Sequence, residues 1–140
     1  MTVSFFGHRT LDEQAQTKES LSNCISLLLK DGATCFLLGD YGEFERLCAR
    51  ILQERREQYP QIRLIYVQAY LERTPVSAVL YDEFLYPDLE KVPKKYAIVR
   101  RNEWMIRQSD VVVIHCRLSY GGAAAAFEYA KRKSKRILFV

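Results

Sequence analysis

Short apolar runs that alternate with helix-like segments constrain this chain more than any other feature. Each run is apolar almost throughout, which is typical of a strand buried on both faces of a parallel sheet. We predict five strands, at Thr2–Phe6, Thr34–Leu38, Ile62–Val67, Val111–Cys116 and Ile137–Val140. The helices between them are predicted at about Leu11–Lys30, Glu43–Tyr59, Ala97–Ser109 and Ala123–Lys133.

This order of elements predicts the fold class. Strands that alternate with helices form a parallel sheet with helices on both faces. We therefore expect an α/β, three-layer Rossmann-like domain with a mainly parallel five-stranded sheet. The length of 140 residues fits a single domain over the whole chain. The segment from about Gln68 to Lys95 follows no regular pattern, apart from a short helix that we predict near Thr74–Tyr81.

The composition limits the classes of protein to which this chain can belong. The chain is 49% hydrophobic and 27% charged, so it can bury an ordinary core. No apolar run approaches the roughly 18 residues of a membrane span. The net charge of +4 is small, and the basic clusters lack the interleaved aromatic residues of a nucleic-acid module. We therefore expect no membrane association, and we rank nucleic acid below a small molecule as a partner.

The cysteines and histidines indicate neither disulfides nor a metal site. The four cysteines are widely spaced, with no Cys-x-x-Cys pair, so we interpret them as reduced thiols in a cytoplasmic protein. The two histidines, His8 and His115, have no companion cysteine spacing, which is a weak basis for zinc. We predict neither a metal nor a cofactor.

Glycine and polar residues follow three of the predicted strands where each strand ends. Ligands of open parallel sheets bind beyond the carboxyl ends of the strands. Glycines there let backbone N–H groups approach an anion, and a helix N-terminus adds partial positive charge. Arg9 and Arg101 could add full charges. We predict ligand-binding residues at Gly7, His8, Arg9, Gly39, Asp40, Tyr120, Gly121 and Gly122.

Each of these residues also has a purely structural explanation. Gly121 and Gly122 could simply turn the chain, and the alanines after them could let a helix pack closely on the sheet. Asp40 could cap the following helix. His8 could hold its own loop, and Tyr120 could be an ordinary exposed residue. His115 lies within an apolar strand, and we predict that it is a core or rim residue with its hydrogen bonds satisfied.

Three stretches of the sequence carry a family resemblance. They are FFGHR, YDEFLYPDLEKVPKKYAIVRRNEWMIRQSDVVVIHC and YGGAAAAFEYAKRKSKRILFV. They resemble the bacterial YpsA-like members of the SLOG superfamily (SMF/DprA–LOG). The resemblance implies a Rossmann-like fold that binds a nucleotide or a nucleotide-derived small molecule. The wider family often dimerises through helices that flank the sheet, so the resemblance also implies a homodimer.

A more distant resemblance raises the question of catalysis. The lysine decarboxylase-like phosphoribohydrolases of this superfamily cleave the N-glycosidic bond of nucleoside monophosphates. Their pattern is matched at Arg101, Met105, Ser109, Asp110, Gly121, Gly122 and Glu128. It is not matched at Asn102, Tyr120, Ala124 and Ala125.

Two residues would be catalytic in such a hydrolase, Arg101 and Glu128. The departures remove a glycine and a threonine suited to holding phosphate, so we favour a nucleotide-binding, sensor-like module. The hydrolase is the alternative, and Glu128 could instead pair with Arg132 on the helix surface. DNA binding through the basic carboxyl-terminal helix ranks third.

Overall fold

The computed structural model describes residues 1–39, 42–72 and 78–140, and within them the chain forms one sheet and four helices. The strands are β1 (Thr2–Phe6), β2 (Cys35–Leu38), β3 (Arg63–Val67), β4 (Glu83–Leu85), β5 (Val111–Ile114) and β6 (Arg136–Phe139). The helices are α1 (Gln14–Lys30), α2 (Glu43–Glu54), α3 (Ala97–Gln108) and α4 (Gly122–Arg132).

The sheet is parallel throughout, in the order β4-β3-β2-β1-β5-β6. After β1 the chain adds β2, β3 and β4 on one side. It then returns to add β5 and β6 on the other side. The order therefore reverses between β1 and β5, where Val3 pairs with Val111 and Phe6 with Ile114. Such a reversal leaves a crevice beyond the carboxyl ends of the two strands.

Helices cover both faces of the sheet, which confirms the predicted three layers. Phe5 and Phe36 pack with residues of α1 and α2 on one face. Phe6 and Val112 pack with residues of α3 and α4 on the other. Ala126 and Ala130 of α4 are buried in that second cluster, as close helix–sheet packing requires.

The prediction of five strands is wrong, because the sheet has six. The additional strand, β4, is a three-residue edge strand that lies in the segment predicted to be irregular. Hydrogen bonding places it rather than hydrophobic pattern: Asp82 accepts the amide of Leu64 through its carboxylate at 2.8 Å and donates its own amide to the Leu64 carbonyl at 2.9 Å. The side chain of Asp82 also binds Arg56 of the turn after α2.

Most of the predicted Thr74–Tyr81 helix lies outside the described residues. A single 3₁₀ turn spans Ala78–Leu80.

All four cysteines lie in the described residues and are free thiols. In the described ranges no helix combines the length and apolar character that would let it cross a bilayer.

Candidate functional site

A cavity of about 300 Å³ opens at the carboxyl edge of the sheet, beside the reversal between β1 and β5. Four parts of the chain line it: the loop after β1, the first turn of α2, one side of α3 and the loop that leads from β5 into α4. The lining residues are Phe6, Gly7, His8, Arg9, Gly42, Glu45, Ile98, Arg101, Asn102, Leu118, Tyr120, Gly121, Gly122 and Ala123.

Arg101 is a buried cation in this cavity, with only 2% of its surface exposed. Its Nη1 donates to the carbonyl oxygens of Gly39 at 3.2 Å and Val67 at 3.4 Å, at the ends of β2 and β3. Its Nε donates to Oδ1 of Asn102 at 3.1 Å. All three acceptors are neutral, and among the described residues no carboxylate pairs with the guanidinium.

The N-terminus of α4 opens onto the same cavity. Gly121 precedes the helix with φ of +94°, a conformation that favours glycine, and no side chain caps the helix there. The first amide to bond back into the helix is that of Ala125, which donates to the Gly121 carbonyl at 3.0 Å. The amides of the preceding turn are therefore directed outward, where they carry partial positive charge.

Hydrogen bonds fix the loop after β1 against its neighbours. The amide of Glu43 donates to the carbonyl of Arg9 at 2.8 Å, and the Glu43 carboxylate accepts the amide of Leu11 at 2.6 Å. The amide of Arg117 donates to Nε2 of His8 at 2.8 Å. Because Nε2 accepts this bond, a neutral His8 carries its proton on Nδ1. The loops after β1 and β5 are thus held together across the crevice.

Two of the glycines allow close packing beside the cavity. A Cβ atom on Gly7 would lie 2.3 Å from the ring of Phe44, and a Cβ atom on Gly39 would lie 2.6 Å from the guanidinium of Arg101. Nothing lies within 4 Å of the same position on Gly121 or Gly122. The first pair of glycines therefore makes room for neighbouring side chains, whereas the second pair leaves space open.

The structure brings most of the predicted ligand-binding residues together. The residues that line the cavity are Gly7, His8, Arg9, Arg101, Tyr120, Gly121 and Gly122. Gly39 lies beneath Arg101 and does not line it. Asp40 falls outside the described residues. Tyr120 is 70% exposed at the rim.

Glu128 lies elsewhere. It is exposed on α4, forms an ion pair with Lys131 at 3.3 Å rather than the predicted pair with Arg132, and does not line the cavity that holds Arg101. Among the described residues, the two that a hydrolase would use therefore line different cavities, Arg101 the first and Glu128 a neighbouring one.

Sequence reasoning missed two polar residues of the cavity. Glu45 is 7% exposed and sits in the first turn of α2, where an acidic residue usually indicates a favourable interaction with the helix N-terminus. The sequence marks Asn102 only as a departure from the hydrolase pattern, whereas in the structure its side chain accepts a hydrogen bond from Nε of Arg101. Its position directly after Arg101 was the one available signal.

His115 is buried, as predicted, with 5% of its surface exposed. Its ring stacks on Phe44 at 5.3 Å and meets His8 edge to face at 5.5 Å. Burial lowers the pKa of His115 below 6.5; the positive charge of Arg117 acts in the same direction, and the hydrogen bond between Nδ1 and the Val140 carbonyl opposes it. His115 is therefore neutral at pH 7.

The described residues contain no group of three or more His, Cys, Asp or Glu side chains placed to hold a metal ion. The basic run Lys131–Arg136 begins in the last turn of α4. Because α4 starts at the carboxyl edge of the sheet, this run lies at the opposite end of the helix from the cavity.

Fold and cavity together define a Rossmann-like α/β/α domain with a polar crevice at its topological switch point. No family model matches the chain, and no curated protein matches it either. Several solved structures do match the chain. The DNA processing protein A of Helicobacter pylori, described as binding single-stranded DNA, is 17% identical with a TM-score of 0.72. The match covers 99% of this chain and 64% of that one, so this chain spans less than two thirds of its length.

Two further structures share the fold. The structural-genomics target TM1055 is 15% identical with a TM-score of 0.67, and covers 97% of this chain and 71% of its own. The molybdenum cofactor carrier protein of Chlamydomonas reinhardtii is 14% identical with a TM-score of 0.66, and covers 99% and 74%. At these identities the matches establish a common fold.

Proposed function

We propose that the cavity beside Arg101 binds a nucleotide or a nucleotide-derived small molecule, and that the phosphate of this ligand lies between Arg101 and the first turn of α4. One observation carries the proposal: a buried guanidinium, whose hydrogen-bond acceptors among the described residues are all neutral, lines the same cavity as an uncapped helix N-terminus. A buried cation is costly unless an anion compensates it. A phosphate in this position would supply that charge.

The amides of the first turn of α4 would complete the phosphate site. Backbone N–H groups at a helix N-terminus form an anion-binding site without any side chain. The Nη2 atom of Arg101, which none of the three hydrogen bonds described above uses, would donate to a phosphate oxygen. Tyr120, at the rim, could then stack on a base. The sequence resemblance to YpsA-like SLOG proteins agrees with a ligand of this kind, and so does the small-molecule cargo named for the molybdenum cofactor carrier.

Titration with nucleoside monophosphates and diphosphates tests the proposal. We expect saturable binding by calorimetry, together with a rise in the unfolding midpoint, because a ligand bound only by the native state stabilises it. Arg101→Lys should weaken binding roughly tenfold or more. Arg100→Lys is the matched control, because Arg100 is the exposed neighbour on the same helix and should bind normally. Equal affinities of the two variants, or no binding by any nucleotide, would contradict the proposal.

The hydrolase stays a prediction from the resemblance alone. Its test is release of free base from nucleoside monophosphates, compared between the native chain and Glu128→Gln. The basic run Lys131–Arg136, which begins in the last turn of α4, stays the basis of the DNA-binding prediction. Cations at a helix C-terminus also have an ordinary stabilising role, and Arg132 and Lys133 lie over the ring of Tyr129. No observation favours either function over nucleotide binding.

A further inference from the structure

A second cavity, of about 450 Å³, lies on the other side of His8. The loop after β1, the start of α1 and the loop after β5 form its walls. His8, Arg9 and Leu118 line this cavity as well as the first, so the two are neighbouring parts of one groove that passes over His8.

Two buried polar side chains that line the second cavity each have one polar atom without a hydrogen-bond partner among the described residues. Thr17 of α1 is 4% exposed and His115 is 5% exposed. The Nδ1 atom of His115 is occupied by the Val140 carbonyl at 3.2 Å. Among the described residues, neither Nε2 of His115 nor the hydroxyl of Thr17 has a hydrogen-bond partner, and neither atom is sealed in the interior. Both atoms are therefore accessible from the cavity and can bond to an occupant.

The side chains that line the second cavity indicate which kind of occupant could bond to them. Because Nδ1 of His115 donates to a carbonyl and the ring is neutral, Nε2 is a hydrogen-bond acceptor. The carboxylates of Asp12 and Glu13 in the same cavity are acceptors too, and the guanidinium groups of Arg9 and Arg117 are donors whose positive charges balance them. The hydroxyl of Thr17 can donate or accept. Such a set requires an uncharged occupant whose groups both donate and accept hydrogen bonds. Adjacent hydroxyl groups, as on a pentose ring, meet that requirement.

We propose that this second cavity binds the hydroxyl-bearing sugar of the ligand whose phosphate lies at Arg101 and α4, with Thr17 and His115 as its binding residues. The inference rests on the proposed function and goes beyond it: the ligand class becomes a phosphorylated ribose unit, as opposed to its 2-deoxy form. A ligand with this arrangement passes over His8, which the amide of Arg117 holds in place.

The test compares ribose 5-phosphate with 2-deoxyribose 5-phosphate by calorimetry on the native chain, Thr17→Val and Thr34→Val. The native chain should bind ribose 5-phosphate about tenfold more tightly, the usual effect of one hydroxyl lost from a polar site. Thr17→Val removes a hydroxyl at nearly constant volume and should shrink this preference. Thr34→Val is the matched control, since Thr34 lines neither cavity, and it should keep the preference.

If Thr17→Val does not fold, nitrogen NMR of the histidine side chains in the native chain provides a second measurement of the same proposal. Saturating ribose 5-phosphate should shift the Nε2 resonance of His115, and 2-deoxyribose 5-phosphate should shift it less. Equal affinities for the two sugars with an unmoved Nε2 resonance would overturn the second subsite and leave the phosphate site standing. If neither sugar phosphate binds, and nucleotides also fail to bind, both proposals fall together.

Discussion

The guanidinium of Arg101 occupies the space where a side chain at position 39 would begin. A Cβ atom on Gly39 would lie 2.6 Å from both Cζ and Nη1 of Arg101, far inside van der Waals contact. The missing side chain is what allows Arg101 to reach the carbonyls of Gly39 and Val67. Gly39 thus serves the cavity through the arginine that it admits, rather than through contact with a ligand.

This relationship predicts that Gly39→Ala acts through Arg101. The added methyl group should displace the guanidinium from both carbonyls and lower the free energy of unfolding by about 1–3 kcal/mol, as overpacking does in a core. In an Arg101→Met background the same change should cost much less. Urea denaturation of the four proteins gives the coupling energy directly. Additive losses would show that the two residues do not interact in this way.

Neighbouring glycines at the start of α4 should respond differently to alanine. Gly121 has φ of +94°, so Gly121→Ala forces an L-residue into a strained conformation, at a cost of about 1–2 kcal/mol. Gly122 is the first residue of the helix and has open space beside it, so Gly122→Ala should be neutral or slightly stabilising. Thermal unfolding of both variants provides the comparison. A loss at Gly122 as large as that at Gly121 would contradict the assignment of the strained position.

Sequence reasoning predicted the three layers because five of the strands are apolar along most of their length, and four of these five are mostly buried. It missed β4 because an edge strand of three residues carries no such pattern; Glu83 and Phe84 are exposed, and side-chain and backbone bonds from Asp82 to Leu64 set the pairing. A hydrophobic pattern indicates burial, so it does not reveal a strand such as β4 that hydrogen bonds hold at the surface.

The candidate site was predictable for a related reason. In a parallel sheet the residues after each strand converge at one edge, so Gly7, His8 and Gly121 could be grouped without coordinates. Side-chain direction was not predictable in the same way. The position of Glu128, in a neighbouring cavity with Asn102 and Gly122, depends on how α4 is rotated against the sheet. The burial of Thr17 beside His115 depends on contacts between residues almost a hundred positions apart.

The loop after β1 should depend on Glu43. Its carboxylate accepts the Leu11 amide and its amide donates to Arg9, so Glu43→Ala removes the first bond. We expect a loss of about 1–2 kcal/mol in the free energy of unfolding and faster hydrogen exchange at Leu11. Glu54→Ala, at an exposed position near the end of the same helix, is the matched control and should change neither. Unchanged hydrogen exchange at Leu11 in Glu43→Ala would contradict the role of Glu43 in holding the loop after β1.

Acid should destabilise the chain partly through His115. Its pKa in the folded state lies below the ordinary value of 6.5, mainly because of burial. As pH falls below 6.5 the unfolded chain takes up a proton there before the folded chain does, so the free energy of unfolding falls until the lower folded pKa is passed. Above 6.5 both states are neutral at this residue, and it contributes no pH dependence.

His115→Gln isolates this contribution, because the two proteins are otherwise identical. Urea denaturation at about pH 7.5 and about pH 5.5 brackets the window in which histidine titrates. The native chain should lose more stability between these two values than His115→Gln does. Equal losses in the two proteins would mean that His115 is as easily protonated in the folded chain as in the unfolded one. Its Nε2 atom would then become a hydrogen-bond donor below about pH 6.5, and the acceptor role assigned to it in the second cavity would be confined to higher pH.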